Sequence, residues 1–148
     1  MRMFLKRMHI QNFKGCKDRR IEFGKRTSIK GINGSGKTTI ADAFMWVMFN
    51  KDSSGATNFD IRPKDQYNND IDFIDIRVEL VIDVDGREIT LTKTQKQNWV
   101  KKRGAEEQTF QGNVNFYEIN TIPKTEREFK EYIAGIIDED IFKLVSNT

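Results

Sequence analysis

The fold of this chain is constrained most by one segment, Gly31-Ile32-Asn33-Gly34-Ser35-Gly36-Lys37-Thr38, which fits the pattern G-x-x-x-x-G-K-[ST]. Glycines in such a segment let the backbone curl so that successive N–H groups point inward at phosphate oxygens. A short strand is predicted before it, at Thr27 to Lys30, and an apolar helix after it, from Lys37 to Phe49. This strand–loop–helix context predicts a P-loop that holds a nucleoside triphosphate.

Individual residues of the loop have predictable chemical roles. The Lys37 ammonium can reach the β and γ phosphates, and the Thr38 hydroxyl is a hard oxygen ligand suited to magnesium. The helix that follows directs its N-terminal partial positive charge at the same phosphates. We therefore predict that Lys37 and Thr38 are the catalytic candidates and that Thr38 is the metal ligand. The predicted nucleotide-binding residues of the loop are Asn33, Gly34, Ser35, Gly36, Lys37, Thr38 and Thr39.

Composition adds few constraints. The chain has 148 residues, of which 37% are hydrophobic, enough for one domain with a core. Its 25 basic and 22 acidic side chains leave a net charge of +3, too small an excess to argue for nucleic acid by itself. Cys16 is the only cysteine, which excludes an intramolecular disulfide. Met1 to Lys14 contains no apolar run like that of a signal peptide, and no segment is long enough to span a membrane, so we expect a soluble, cytoplasmic protein.

Hydrophobic periodicity predicts an antiparallel β region around the helix. Strands are expected at Phe4 to Gln11 and at Arg19 to Phe23, and a loop at Lys51 to Tyr67. From Asp72 apolar residues alternate with mostly polar ones up to the turn Asp85-Gly86. With a two-residue turn, a consistent register pairs Ile82 with Ile89 and Leu80 with Leu91.

The C-terminal third is predicted to contain a loop, a strand and a helix. Lys96 to Gly112 is polar and basic and is expected to be a mobile loop or a frayed hairpin end. Val114 to Ile119 is typical of a strand. Thr125 to Ile137 has the helix period, with Thr125 and Glu128 as a capping box, and one more helical turn is expected to start at Asp138.

Four segments together resemble the start of SMC/RecF/RecN/SbcC-type ATPases. They are Phe4-Leu5-Lys6-Arg7-Met8-His9-Ile10-Gln11-Asn12-Phe13-Lys14-Gly15, Ile21-Glu22-Phe23, the loop from Asn33 to Thr39, and Asp42-Ala43. These proteins are ATP-binding-cassette heads that act on DNA. The resemblance implies an α/β P-loop NTPase fold with an antiparallel β subdomain and flanking helices. It also implies that ATP with Mg²⁺ is bound, that Lys14 lies beside the nucleotide, and that Phe59 to Pro63 passes near the base.

The resemblance further implies that residues 1–148 form the N-terminal lobe of one head. Within it we distinguish strands, P-loop and helix (1–50), a loop (51–71), a β-hairpin and sheet region (72–119) and a helical end (120–148). The implied partners are the C-terminal half of the head, a second head and DNA, with no membrane.

Several parts of such a head are not found in this sequence. They are the Gln loop, the Ser-Gly-Gly signature, the Walker B carboxylates and the switch histidine. Asp83 lies on the polar side of the predicted hairpin and is followed by Val84, so it does not fit a Walker B aspartate, and His9 lies upstream in a strand. We therefore expect that this chain alone binds ATP and hydrolyses it at no more than a background rate.

Two other functions fit parts of the sequence. A stand-alone P-loop kinase or nucleotide-binding regulator would share the loop, and Asn50-Lys51-Asp52-Ser53 comes close to the guanine motif Asn-Lys-x-Asp but ends in serine. A non-catalytic DNA-binding module would not need the intact Lys37 and Thr38.

Some isolated residues have two interpretations. Trp99 is flanked by five basic residues, Lys93, Lys96, Lys101, Lys102 and Arg103. These residues form either a DNA-contacting hairpin tip or a solvated loop whose tryptophan packs on the sheet. Asp52, Asp60 and Asp65 either form turns or reach magnesium through water. Trp46 is predicted to lie in the core, and Cys16 to be an inert small residue.

Overall fold

The computed structural model describes residues 3–23 and 37–136. Within these ranges the chain forms one six-stranded antiparallel sheet, in the order β2-β1-β3-β4-β5-β6, and two α-helices. The elements are β1 (Met3–Phe13), β2 (Cys16–Glu22), α1 (Lys37–Phe49), β3 (Ile76–Val84), β4 (Arg87–Lys101), β5 (Gln108–Ile119), β6 (Ile122–Lys124) and α2 (Glu126–Ile136). The predicted α/β class with an antiparallel β subdomain and flanking helices is confirmed.

The core lies between α1 and one face of the sheet. Alternate residues of the central strands, such as Ile10, Leu80 and Leu91, are fully buried on this inner face. Every side chain of α1 from Ile40 to Met48 is buried, as expected from the apolar composition of the predicted helix. Trp46 is 3% exposed and its ring centroid lies 5.6 Å from that of Phe13, so the predicted core position of this tryptophan is also confirmed.

The β3–β4 hairpin has the predicted register. Ile82 pairs with Ile89 and Leu80 with Leu91. Asp85 and Gly86 both adopt positive φ, 53° and 87°, as a tight two-residue turn requires. The Asp83 carboxylate accepts a hydrogen bond from the Gly86 N–H at 2.8 Å and so stabilises this turn, in agreement with its exclusion as a Walker B residue.

Of the two alternatives predicted for Lys96 to Gly112, the mobile loop is wrong, because the segment is the paired end of a hairpin. Strand β4 continues to Lys101 and β5 begins at Gln108, so only residues 102–107 connect them. The sequence shows no clear alternation of apolar and polar residues here, because both faces of this hairpin are largely polar and because a bulge shifts the register between Gln97 and Trp99. Gly112, at a φ of 100°, lies in the bulge itself, because β5 advances three residues from Phe110 to Asn113 where β4 advances two.

The remaining predictions differ from the structure mainly at element boundaries. Strand β3 begins at Ile76, so the preceding loop is longer than expected, and β6 was not predicted because three residues carry no period. Helix α2 has the predicted capping box, in which the Thr125 hydroxyl accepts from the Glu128 N–H at 3.1 Å and the Thr125 N–H donates to the Glu128 carboxylate at 3.0 Å. The predicted strand at Thr27 to Lys30 and the turn at Asp138 lie outside the described residues.

Candidate nucleotide-binding site

Helix α1 begins at Lys37, directly after the glycine segment. Its first turn contains no acidic residue, so no carboxylate within that turn opposes the partial positive charge of the helix N-terminus. The predicted ligands Asn33, Gly34, Ser35 and Gly36 lie outside the described residues, as do the side chains of Lys37 and Thr38. Thr39 is the first described side chain of the motif, and it is half-buried.

Lys14 is held beside the middle of α1. The β1–β2 turn gives it a positive φ of 52°, and its N–H donates to the Ile61 carbonyl at 2.7 Å. Its ammonium donates to Oδ2 of Asp42 at 2.6 Å, and the Asp42 side chain is only 5% exposed. Asp42 is five residues after Lys37, which is about 7–8 Å along a helix axis. Lys14 therefore lies next to the helix that carries the motif, and its contact with a nucleotide remains a prediction.

Asp42 connects three segments of the chain. Besides the Lys14 ammonium, its carboxylate accepts a hydrogen bond from the Ser53 N–H at 2.7 Å through Oδ1. The β1–β2 turn and the turn after α1 are thus both tied to the helix. The sequence places Asp42 on the predicted helix, but its role as a connection between segments was not predicted. A signal for that role is present in the sequence, because Asp42 is the only charged residue between Ile40 and Met48.

The segment from Phe59 to Pro63 packs against the same region. The Lys14 ammonium lies 5.7 Å from the centroid of the Phe59 ring. Arg62 is 7% exposed and donates from Nη1 to the carbonyl oxygens of Ile71 and Ile74, at 3.2 and 2.9 Å. Its guanidinium therefore fixes the fold of the long segment before β3. That this segment passes near the base of a bound nucleotide stays a prediction.

The three loop aspartates form turns. The Asp52 carboxylate accepts from the Ser54 hydroxyl at 2.6 Å and from the backbone N–H groups of Ser54 and Ala56, both at 2.9 Å. The hydrogen bond from the Ser54 hydroxyl first, and then those from the backbone, hold the pKa of Asp52 below its usual value. Asp65 closes the next turn in the same way, and Asp60 accepts from a backbone N–H two residues later. Within residues 3–23 and 37–136 no group of three His, Cys, Asp or Glu side chains is arranged to hold a metal ion.

Lys93 occupies the opposite end of α1, and its predicted place in a hairpin tip is wrong. It is 1% exposed, because it follows Ile89 and Leu91 on the inner face of β4. Its Nζ donates to the Trp46 carbonyl at 3.2 Å and to Oδ1 of Asn50 at 2.8 Å, and it lies 4.4 Å from the Trp46 ring centroid. Burial lowers the pKa of the Lys93 ammonium to about 7.

Trp99 also packs down on the sheet instead of extending from a loop. Its ring stacks on that of Phe73, with centroids 4.5 Å apart, and lies 5.3 Å from that of Phe110. Its Nε1 donates to Oε1 of Gln97 at 3.1 Å. Lys96 pairs with Asp75 on the loop. The remaining basic residues, Lys101, Lys102 and Arg103, are exposed at the β4–β5 connection.

Cys16 and His9 have structural surroundings. Burial raises the pKa of the Cys16 thiol, which disfavours the reactive thiolate and agrees with an inert role. The His9 ring nitrogen Nε2 lies 2.6 Å from Oδ1 of Asp18 across the β1–β2 pair.

A protein-family model described as an AAA domain matches residues 7–147. The chain belongs to this AAA-domain family. A curated relative, the chromosome partition protein Smc of Clostridium kluyveri (strain NBRC 12016), is 50% identical over 50 residues. That match covers 32% of this chain and 4% of the relative.

Two solved structures share the fold. The SMC head domain from Thermotoga maritima is 22% identical, with a TM-score of 0.50, over 87% of this chain and 41% of that one. The recombination mediator protein RecF-ATPrS in the RecFOR pathway is 17% identical, with a TM-score of 0.51, over 86% of this chain and 29% of that one. The predicted SMC/RecF-type ATPase fold is confirmed, and the chain spans less than half the length of each of these proteins. No helix within the described part of the chain is long and apolar enough to cross a membrane.

Proposed function

We propose that this chain is the nucleotide-binding lobe of an SMC/RecF-type ATPase head and that it binds ATP with Mg²⁺ on the segment from Gly31 to Thr39. One observation carries the proposal. Helix α1 begins at Lys37, immediately after the glycine segment, is buried from Ile40 to Met48, and packs on an antiparallel sheet in a chain of this family. The motif thus ends at a helix N-terminus, which is where phosphate is bound most favourably.

The residues have distinct proposed roles. The backbone from Asn33 to Gly36 surrounds the phosphates, the Lys37 ammonium neutralises the β and γ phosphates, and Thr39 continues the first turn. Mg²⁺ would be held by the Thr38 hydroxyl and phosphate oxygens, and when bound it neutralises charge on the terminal phosphates. Lys14 supplies a further cation to the nucleotide, supported by its position beside α1.

Turnover is proposed to require more than these residues. Hydrolysis needs a group that positions the attacking water as well as bound phosphates and metal. Asp83 is engaged in a hairpin turn and His9 is paired with Asp18, so neither is available for that role in the described part of the chain. We propose that the C-terminal half of the head and a second head supply the missing groups, and that residues 1–148 form one lobe with the four regions given above.

The proposed biological setting is DNA repair, recombination or the maintenance of chromosomal or phage DNA. It is supported by the names of the relatives, a chromosome partition protein and a recombination mediator. DNA is therefore proposed as a partner of the whole protein, with the exposed Lys101, Lys102 and Arg103 as candidate phosphate contacts.

Isothermal titration calorimetry with ATP and Mg²⁺ tests the binding site directly. Lys37→Ala removes the charge proposed to lie at the β and γ phosphates, so ATP affinity should fall at least tenfold, or ~1.4 kcal/mol. Lys17→Ala, an exposed position on β2, is the matched control and should bind like the wild type. Equal affinities of Lys37→Ala and the wild type would refute the proposed site.

A further inference from the structure

Asp42 is a buried carboxylate on a helix whose other side chains from Ile40 to Met48 are apolar. Its side chain is 5% exposed, and each of its two oxygens accepts one of the hydrogen bonds described above, Oδ1 from Ser53 and Oδ2 from Lys14. Burying an ion pair is often no more stabilising than an apolar residue of similar volume at the same position. The stability of the fold therefore gives no sufficient reason for an aspartate here, which points to a role in function.

The partner of this carboxylate, Lys14, is fixed at both its backbone and its ammonium. Its φ of 52° sets the direction in which the side chain leaves the β1–β2 turn, and its N–H donates to the Ile61 carbonyl. The ammonium is held by Asp42 and lies 5.7 Å from the centroid of the Phe59 ring. The Lys14 side chain is 30% exposed, whereas that of Asp42 is 5% exposed, so a ligand reaches the cation more readily than the anion.

The ion pair lies on the side of α1 that carries the end of the glycine motif. Asp42 follows Thr38 by four residues, or about one helical turn, so the backbone positions 38 and 42 are on the same side of the helix axis and about 6 Å apart along it. Position 38 belongs to the segment proposed to hold phosphate and Mg²⁺. The Lys14 ammonium is therefore held about one turn from the proposed phosphate site.

The two members of the pair have opposite effects on a bound triphosphate. The charge of Asp42 alone repels the anion, and its burial reduces screening of that repulsion by solvent and salt. The charge of Lys14 attracts the anion. A lysine side chain that is free to rotate loses its rotamer freedom when it binds a ligand, whereas the side chain of Lys14 is already held in place by Asp42.

We propose that Asp42 is a positioning residue of the ATP site, which holds the Lys14 ammonium at the side of α1 where this cation contacts the phosphates of ATP. The inference rests on the proposed function, since it takes ATP to bind at the segment from Gly31 to Thr39. Asp42 acts only through Lys14 and does not contact the nucleotide. Removal of the negative charge of Asp42 therefore weakens ATP binding, which is the opposite of what electrostatic repulsion alone would give.

A double-mutant cycle on ATP affinity tests this inference, measured by isothermal titration calorimetry with ATP and Mg²⁺ on the whole chain. Asp42→Asn keeps the volume of the side chain and an acceptor for the Ser53 N–H, but it loses the anion that holds Lys14. We expect Asp42→Asn and Lys14→Met each to raise the Kd for ATP about fivefold or more, which corresponds to ~1 kcal/mol. In the Lys14→Met background, Asp42→Asn should not raise the Kd further, because no ammonium is left to position.

Two controls separate positioning from damage to the fold. Asp18→Asn removes an exposed carboxylate of β2 that is paired with His9, and its Kd for ATP should equal that of the wild type. Hydrogen exchange followed by NMR should show that the Ser53 amide stays protected in Asp42→Asn, because the asparagine oxygen still accepts from it. Loss of folded protein would lower the number of binding sites per chain in the titration and would leave the Kd of the folded fraction unchanged.

Several results would overturn this inference. An unchanged or lower Kd for Asp42→Asn would mean that Asp42 repels the nucleotide or withholds Lys14 from it. An equal rise in Kd with and without Lys14 would assign Asp42 a structural role, and a wild-type Kd for Lys14→Met would show that this lysine does not contact ATP.

Lys37→Ala distinguishes these failures from failure of the proposed function. If Lys37→Ala loses about tenfold in affinity while Asp42→Asn binds like the wild type, the ATP site stands and only the role of Asp42 is refuted. If Lys37→Ala binds ATP like the wild type, or if the wild type binds no ATP, the proposed site and the role of Asp42 are refuted together.

Discussion

Lys93 makes the stability of the fold depend on pH, because its ammonium group is buried. Its ammonium is surrounded by α1 and the inner face of the sheet, where Glu126 raises and Lys130 lowers its pKa, but desolvation is the largest effect. The folded chain therefore releases this proton near pH 7, whereas an unfolded chain retains it to its ordinary value of 10.5. Burial of this charge destabilises the fold below about pH 7, and the cost is relieved as the pH rises.

We predict that the free energy of unfolding rises by about 2 kcal/mol from pH 7 to pH 9 through Lys93, following one proton of difference between the two states. The measurement is urea unfolding at several pH values for the wild type and Lys93→Met, and the rise should be absent from the variant. Tyr117, whose pKa burial raises to about 12, acts in the opposite direction only above about pH 10. Parallel pH profiles for the two proteins would mean that the pKa of Lys93 is not lowered.

Lys14 and Asp42 should be energetically coupled. The Asp42 side chain is 5% exposed and the Lys14 side chain is 30% exposed, so the burial of this ion pair is intermediate between that of a surface pair and that of a buried pair. We expect Lys14→Met to destabilise the fold by about 1–3 kcal/mol, because Asp42 keeps its charge without its cation. A double-mutant cycle with Asp42→Asn should recover part of that loss. The control Lys17→Met removes an exposed cation, and a loss as large as that of Lys14→Met would refute the coupling.

At the level of elements, α2 depends on its capping box. Thr125 and Glu128 satisfy each other's backbone N–H groups at the start of this helix, and Phe129 then packs 4.9 Å from the ring of Tyr117. Thr125→Ala should lower the free energy of unfolding by about 1 kcal/mol, and Thr125→Ser should restore most of it. Thr57→Ala, at an exposed loop position, is the control for loss of a threonine. Equal stability of the wild type and Thr125→Ala would show that the cap contributes nothing.

Elements with a strong local signal were predictable, and those set by long-range packing were not. The β3–β4 hairpin, α1 and the capping box follow from alternation, apolar composition and turn residues within a few positions. The extension of β4 and β5 was missed because its inner face carries carboxamides and Trp99 instead of aliphatic residues. The Lys14–Asp42 ion pair joins residues that are 28 positions apart, and Arg62 donates to carbonyl oxygens up to 12 positions away. No local pattern in the sequence contains such contacts.

At the scale of the whole molecule, the sheet holds α1 in place along its length. The N-terminal end of α1 follows the glycine segment, and Lys93 on β4 donates hydrogen bonds to Trp46 and Asn50 near its C-terminal end. Binding of ATP is proposed to need only the N-terminal end. Hydrolysis is proposed to need groups from the rest of a head, so binding and turnover should separate experimentally.

Phosphate release by the chain, measured with saturating ATP and Mg²⁺ on protein shown to bind ATP, tests that claim most directly. Lys37→Ala is the control for contaminating activity. We predict saturable ATP binding by the wild type, together with steady-state phosphate release no faster than that of Lys37→Ala. A rate near 1 s⁻¹, within the usual range of enzymes, that disappears in Lys37→Ala would show that the chain is a complete enzyme and would contradict the nucleotide-binding-lobe proposal.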